Sequence, residues 1–306
     1  MNLPFNAVQE LSVDLLRDWP LPVHASDGDK EVRGHVLVIG GSREMPGAVI
    51  LAATAALRAG AGKLTVATGA SVAQLVASAI HESRVIGLPE TDSGGIASGA
   101  AELFNQLAGK VDAVLIGPGM QDEASICAFT RALLPKFADK PIVLDACAMG
   151  VLRGSQAYQE DSENIRPAHM IITPHAGEMA HLLGDHKDAI RSDPCTAARD
   201  AARNWNTVVA LKGGTTFIAT PNGDAWRHEG ENIGLATSGS GDTLAGIIAG
   251  LAARGATVDQ AALWGVLLHA QAGDNLTRRI GSIGYLAREI IDEIPGLLDR
   301  LSIARS

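Results

Sequence analysis

The sequence predicts an α/β fold: a central, mostly parallel β-sheet flanked by helices on both faces, with a small antiparallel edge. Three observations carry this. Short apolar segments rich in Val and Ile recur along the chain, as strands covered on both faces require. Most are separated by stretches with the apolar period of amphipathic helices. Aromatic residues are only 4% of the chain while Gly and Ala recur throughout, which suits close helix-on-sheet packing better than a sandwich of bulky strands. With 306 residues, 46% of them hydrophobic, one large core suffices, so a single domain over 34–306 is expected behind an N-terminal arm, 1–33.

In chain order, the arm predicts a short helix over Ala7–Arg17 and then a Pro-, Asp- and Gly-containing stretch leading into the domain. The predicted strands follow at His35–Ile39, Lys63–Ala67, Val111–Ile116, Pro141–Asp145, Met170–Thr173 and Val208–Leu211. Strand, helix, strand repeated in this way forms right-handed crossovers, and ligands then sit at the carboxyl ends of the strands. Near the end, Thr215–Thr220 and Ala225–His228 flank Pro221-Asn222-Gly223, which reads as a hairpin and supplies the antiparallel edge. Three helices close the chain, over Asp242–Arg254, Val258–Asn275 and Ile283–Leu298.

Charge and composition exclude several classes. A formal net charge of −9 repels a phosphate backbone, so nucleic-acid binding has no electrostatic source. The apolar-rich run Val49–Leu57 stops at Arg58, short of the roughly 20 residues a membrane span needs. The opening MNLPFNAVQE lacks the basic-then-apolar pattern of a secretion signal, so a cytoplasmic location is expected. Cys127, Cys147 and Cys195 are odd in number and far apart, which argues against a disulfide framework or a structural zinc site.

Three loops at predicted strand ends carry chemistry. Thr237-Ser238-Gly239-Ser240-Gly241-Asp242 opens into a helix whose Leu244, Ile247, Ile248 and Leu251 form one buried stripe. Its glycines let backbone amides at a helix N-terminus approach an anion. Asp242 is out of place in a simple phosphate cradle. It reads either as a helix-dipole partner or as an ionised base, its pKa lowered by the helix end, that orients a hydroxyl and accepts its proton. The second loop, Lys212-Gly213-Gly214-Thr215-Thr216, suits a polyphosphate, although alone it could be an ordinary turn. The third, Thr173-Pro174-His175-Ala176-Gly177-Glu178, places His175 and Glu178 where they could reach the same crevice, each with a plain structural alternative. Gly40-Gly41-Ser42 with Gly47-Ala48, and Gly117-Pro118-Gly119, are further backbone approach points. Neither a dinucleotide fingerprint nor a Walker loop is present.

These segments, in this order from about residue 30 onward, resemble the ADP-dependent (S)-NAD(P)H-hydrate dehydratase family, a branch of the ribokinase-like superfamily. The resemblance rests on Val36–Ser42 with Gly47-Ala48, Gly117-Pro118-Gly119, Thr173–Glu178, Lys212–Thr216 and Ser238–Asp242 followed by Thr243-Leu244-Ala245-Gly246. It implies that Lys212, Gly213, Gly214, Thr215, Thr216 and Gly241 hold ADP. Ala48, Gly119, His175 and Asp242 would contact the hydrated nicotinamide substrate, NADHX or NADPHX, with Asp242 the catalytic base. Phosphoryl transfer onto the ring hydroxyl makes a good leaving group, and elimination restores the dihydropyridine, releasing AMP and phosphate. The resemblance also implies Mg2+, with Glu178 as the acidic residue that could organise it, a homotetramer, and a separate epimerase for the other diastereomer. No metal cluster is visible in the sequence.

Three details depart from the family pattern: Gln121 where glycine is usual, Ala176 where proline is usual, and no His-Lys-Gly before Gly34. They bear on the shape of the substrate loop and arm. Two other readings compete. An ATP-dependent kinase of a small alcohol, such as a pyrimidine or thiazole vitamin precursor, fits Gly-Ser-Gly-Asp equally well, whereas the Gly-Gly-Ser turn with Gly47-Ala48 and His175 matches the dehydratase branch better. A non-catalytic nucleotide sensor would gain nothing from Asp242 beside phosphate.

Overall fold

Strand residues buried on both faces put their alternate side chains into two separate cores, and this organises the chain. The structure, a computed structural model, describes residues 7–23, 32–153, 169–230 and 232–302. Among the described residues ten strands form one sheet: β1 (Gln9–Glu10), β2 (His35–Ile39), β3 (Lys63–Gly69), β4 (Ser83–Leu88), β5 (Ala113–Ile116), β6 (Ile142–Leu144), β7 (Met170–Ile172), β8 (Val208–Leu211), β9 (Thr215–Ala219) and β10 (Ala225–Glu229). Their order is β1-β10-β9-β8-β7-β6-β5-β2-β3-β4. From β4 to β8 every neighbour is parallel, while β9 is antiparallel to both β8 and β10. The hairpin and the antiparallel edge stand where the turn residues placed them.

The helices are α1 (Val13–Asp18), α2 (Pro46–Arg58), α3 (Ala73–Ala79), α4 (Glu123–Leu133), α5 (Ala176–Leu183), α6 (Lys187–Ser192), α7 (Pro194–Trp205), α8 (Ser240–Ala253), α9 (Val258–Arg279) and α10 (Ala287–Ser302). Val36 and Val38 of β2 join one core with α2, α8, α9 and α10 residues such as Ala52, Ile248, Leu263 and Ile290. Leu37 and Ile39 join the other, with Phe129 of α4, Met179 of α5 and Ala201 of α7. Full burial of Val36 to Ile39 explains why these strands carry uninterrupted apolar runs.

Element boundaries shifted where a cap or an edge decided them. The predicted helix over Ala7–Arg17 is replaced by β1, which pairs in parallel with Trp226 and Arg227, and by α1, which starts only after Ser12 accepts the Leu15 amide. Leu11, Leu16 and Leu21 are buried against the core, while residues 24–31 of the arm's Asp- and Gly-containing stretch fall outside the described residues. Strand β4 carries no apolar run, because Ser83, Arg84, Val85, Ile86 and Gly87 of this edge strand keep contact with solvent. Helix α9 extends past Asn275 to Arg279. Helix α10 begins at Ala287 rather than Ile283: Glu289 accepts the Leu286 amide at 2.7 Å, and Ile283 is left exposed.

Candidate active site

β2 leads to β3 and β4 on one side of the sheet, whereas β5 to β8 extend on the other. The direction of winding therefore reverses between β2 and β5, the switch point where α/β sheets open a crevice at their carboxyl ends. Gly40-Gly41 and Gly117-Pro118-Gly119 lie at this point, tied by the Gly41 amide donating to the Pro118 carbonyl at 2.7 Å. Gly119 has φ +68, and a Cβ there would come within 2.6 Å of both the Ala48 Cβ and the Met45 carbonyl. Only glycine lets these loops close on each other, so Ala48 and Gly119 are brought face to face.

A cavity of about 690 Å³ opens further along the strand ends. Lys212, Gly213, Gly214 and Thr216 line it from the β8–β9 turn, Ser240 and Gly241 from the start of α8, and Ile233, Leu235, Leu244 and Val266 supply apolar walls. His175 also reaches it, because the Lys212 amide donates to the Pro174 carbonyl at 2.8 Å and so joins the two loops. Thr215 does not line this cavity: it opens β9 and pairs with Glu229 of β10.

Lys212 is the electrostatic centre. Its Nζ lies 3.3 Å from Asp145 Oδ1 and 3.9 Å from Glu178 Oε2. Burial works against the ammonium, but Asp145, Glu178 and Asp242 outweigh it and hold the Lys212 pKa above its ordinary value. Asp145 is itself buried at the end of β6 and accepts the Thr173 hydroxyl at 2.7 Å.

Asp242 reverses the expectation from sequence. The helix end was expected to lower its pKa, yet it is pushed up to about 6. Burial is the main cause, the Asp145 charge the next, and Lys212 opposes both without cancelling them. In a partly closed site, desolvation and a second carboxylate exceed what one turn of helix dipole supplies. The group can therefore take and release a proton near neutral pH.

His175 is the N-cap of α5. Its Nδ1 accepts the Gly177 and Glu178 amides, both at 3.0 Å, and Glu178 Oε2 accepts the His175 amide at 2.7 Å, which completes a capping box. An Nδ1 that accepts two amides leaves the ring proton on Nε2, which lies 3.7 Å from Glu178 Oε2. Glu178 thus caps the helix, the plain alternative, while its Oε2 also lies 3.9 Å from Lys212 Nζ.

A family model described as NAD(P)H-hydrate dehydratase matches residues 36–296, spanning both the switch-point loops and the cavity. The chain belongs to this family. Among members of the dehydratase family, it is 48% identical over 294 residues to the ADP-dependent (S)-NAD(P)H-hydrate dehydratase of Xanthomonas campestris, covering 96% of this chain and 97% of that one. It is 38% identical to a bifunctional NAD(P)H-hydrate repair enzyme of Moorella thermoacetica, of which it spans 52%. A Bacillus subtilis ADP/ATP-dependent NAD(P)H-hydrate dehydratase, co-crystallised with ATP and Mg2+, superposes with a TM-score of 0.80 at 28% identity over 96% of this chain and 99% of that one. A ribokinase-like superfamily protein from Enterococcus faecalis does so with a TM-score of 0.80 at 26% identity over 99% of each. The fold is ribokinase-like, and the family match does not favour the vitamin-kinase alternative.

Two site residues were missed from sequence. Asp145 was read only as the end of a strand. Its signal was a carboxylate closing an otherwise apolar run at a strand's carboxyl end. His269 sits in the middle of the apolar α9, and nothing local distinguishes it from a core histidine. A larger groove of about 850 Å³ opens at the amino ends of the strands, between Gly34, Asp112 and Ala252–Asp259, away from every residue above.

Proposed function

We propose that this protein dehydrates the S epimer of NAD(P)H hydrate back to NAD(P)H, using ADP and releasing AMP and phosphate. The observation that carries the proposal is Asp242: a carboxylate in the first turn of α8, its pKa pushed up to about 6 by burial and by Asp145, with Lys212 and Glu178 within electrostatic reach. A nucleotide-binding site alone would gain nothing from it.

Lys212, Gly213, Gly214, Thr216 and Gly241 would hold the nucleotide, with the apolar walls of the cavity taking its base. Thr215 would act through the backbone of its turn. Ala48, Gly119 and His175 would hold the hydrated nicotinamide, His175 through its Nε2 proton. Asp242 accepts the proton of the ring hydroxyl as its oxygen attacks the β-phosphorus, and AMP leaves. The amides of Gly239 and Gly241 and the Lys212 ammonium would meet the charge spread over the transferring group. Phosphate then departs with the electrons of the ring C–O bond, and loss of a proton from the neighbouring ring carbon to water restores the dihydropyridine.

The donor set fits Mg2+ carried by the nucleotide. Glu178 offers carboxylate oxygen near Lys212, but no group of three or more His, Cys, Asp or Glu able to hold a metal occurs among the described residues. Magnesium typically keeps its waters and binds through few carboxylates plus phosphates. When bound it would neutralise phosphate charge, with Glu178 as its protein contact.

We further place the protein in the cytoplasm, as a homotetramer, working beside a separate epimerase. Among the described residues no helix is long and apolar enough to cross a membrane. Product analysis tests the reaction. Equimolar AMP, phosphate and reduced nicotinamide are expected, whereas a stable phosphoester would instead point to a kinase.

A further inference from the structure

Ser240 and His269 make a contact that the scheme above does not use. Ser240 is the first residue of α8, set between Gly239, whose φ is +87, and Gly241. Its side chain is buried and its amide already donates to the Thr237 carbonyl. His269, buried in α9, places Nε2 3.0 Å from Ser240 Oγ and 3.1 Å from Ser240 O.

A carbonyl can only accept, so the nitrogen that meets Ser240 O carries the proton. Burial, with Lys212 adding to it, holds the imidazole pKa down to about 4, and the ring is a neutral Nε2–H tautomer. That N–H also faces a lone pair of Ser240 Oγ. The serine hydroxyl's own hydrogen therefore needs a different acceptor. Among the described residues no protein group takes it, and both residues line the 690 Å³ cavity. The surroundings are the cationic end of that cavity: Lys212 Nζ lies only 3.2 Å from where a Cβ on Gly241 would stand, and the amides of the α8 N-terminus are adjacent.

We propose that Ser240 Oγ–H is a side-chain donor to the terminal phosphate of the bound nucleotide, and that His269 is the positioning residue that aims it. This rests on the nucleotide-binding part of the proposed function. It adds a directed hydroxyl to what would otherwise be an anion cradle of backbone amides. It also gives a buried, uncharged histidine in an apolar helix a function at the site.

The test compares ADP and AMP affinities by calorimetry, in Mg2+, for the wild type, Ser240→Ala, His269→Leu, His269→Gln and the Ser240→Ala/His269→Leu double variant, each confirmed folded by thermal melting. Loss of one hydrogen bond to a charged group predicts roughly tenfold weaker ADP binding for Ser240→Ala and for His269→Leu, with AMP binding unchanged. His269→Gln, whose amide N–H can reach the Ser240 carbonyl, should stay within about twofold of wild type. The double variant should be no weaker than either single one. Unchanged ADP affinity in Ser240→Ala, or equal losses for ADP and AMP, would overturn the assignment; should His269→Leu not fold, Ser240→Ala decides alone. Because binding is read without turnover, the expected pattern in a protein that fails to dehydrate the hydrate would leave the donor standing and remove the dehydratase reading. A wild type that binds no ADP would remove both.

Discussion

Asp242 stands about two pKa units above the ordinary value of 3.8, and that single displacement has consequences for both activity and stability. In the folded protein the carboxylate binds its proton more tightly than in the unfolded chain, so the ionised form opposes folding. The cost is absent below pH 4, grows between pH 4 and 6, and is complete above 6, on the order of 2 kcal/mol after screening by the partly open site. Asp242→Asn should therefore raise the melting temperature by roughly 3 °C at pH 8 and leave it unchanged at pH 3.5, while turnover falls by about 10³-fold or more. Melting curves at the two pH values check the first part. A second expectation concerns the acid limb of kcat/KM, which should lie near pH 6. Asp145→Asn, which keeps the Thr173 hydrogen bond but removes a negative neighbour, should move that limb to lower pH; a limb that stays put would separate Asp145 from the base. Asp242, Lys212 and His175 were legible in the sequence because each sits in or beside a Gly-rich turn at a strand end. The direction of the Asp242 shift was not, because its causes are burial by distant segments and the carboxylates of Asp145, after β6, and Glu178, in α5, which no local pattern reports.

Helices α2 and α8 bring the two halves of the site together. They pack backbone to backbone: a Cβ on Gly246 would fall 2.1 Å from the Ala52 carbonyl, and one on Gly250 2.4 Å from that of Ala56. Nearer the start of α8, a Cβ on Gly239 would fall 2.5 Å from the Leu51 side chain, so the loop before α8 packs on α2 as well. Gly246→Ala should cost about 3 kcal/mol, lowering the melting temperature by roughly 5 °C, and should weaken activity beyond what stability explains. Gly47→Ala, whose Cβ would meet nothing within 4 Å, should leave the melting temperature the same or slightly higher. Scanning calorimetry on the pair checks both. The buried strands and the apolar helices were readable because burial on every side leaves a compositional trace. β1, β4 and the start of α10 were not, since an edge pairing, a solvent-facing strand and a side-chain cap each leave only a residue or two of signal.

At the scale of the molecule, the sequence pattern supplied the layers but not the order of the strands. The switch between β2 and β5, which places Gly41 against Pro118, depends on which strand joins which, and parallel strands of similar composition carry no label for that. The proposed function rests on this arrangement: the switch-point crevice is assigned to the hydrated ring and the cavity beyond it to the nucleotide, with Asp242 as the base. The proposed homotetramer predicts, by light scattering, a mass four times the 31.7 kDa of the chain, and a monomeric mass would contradict that assembly. The chemistry is tested most directly by following the reduced-nicotinamide absorbance while purified protein is mixed with NADH hydrate, Mg2+ and ADP. A rise that requires both ADP and Asp242 is expected; no rise, from folded protein that binds ADP, would contradict the dehydratase chemistry.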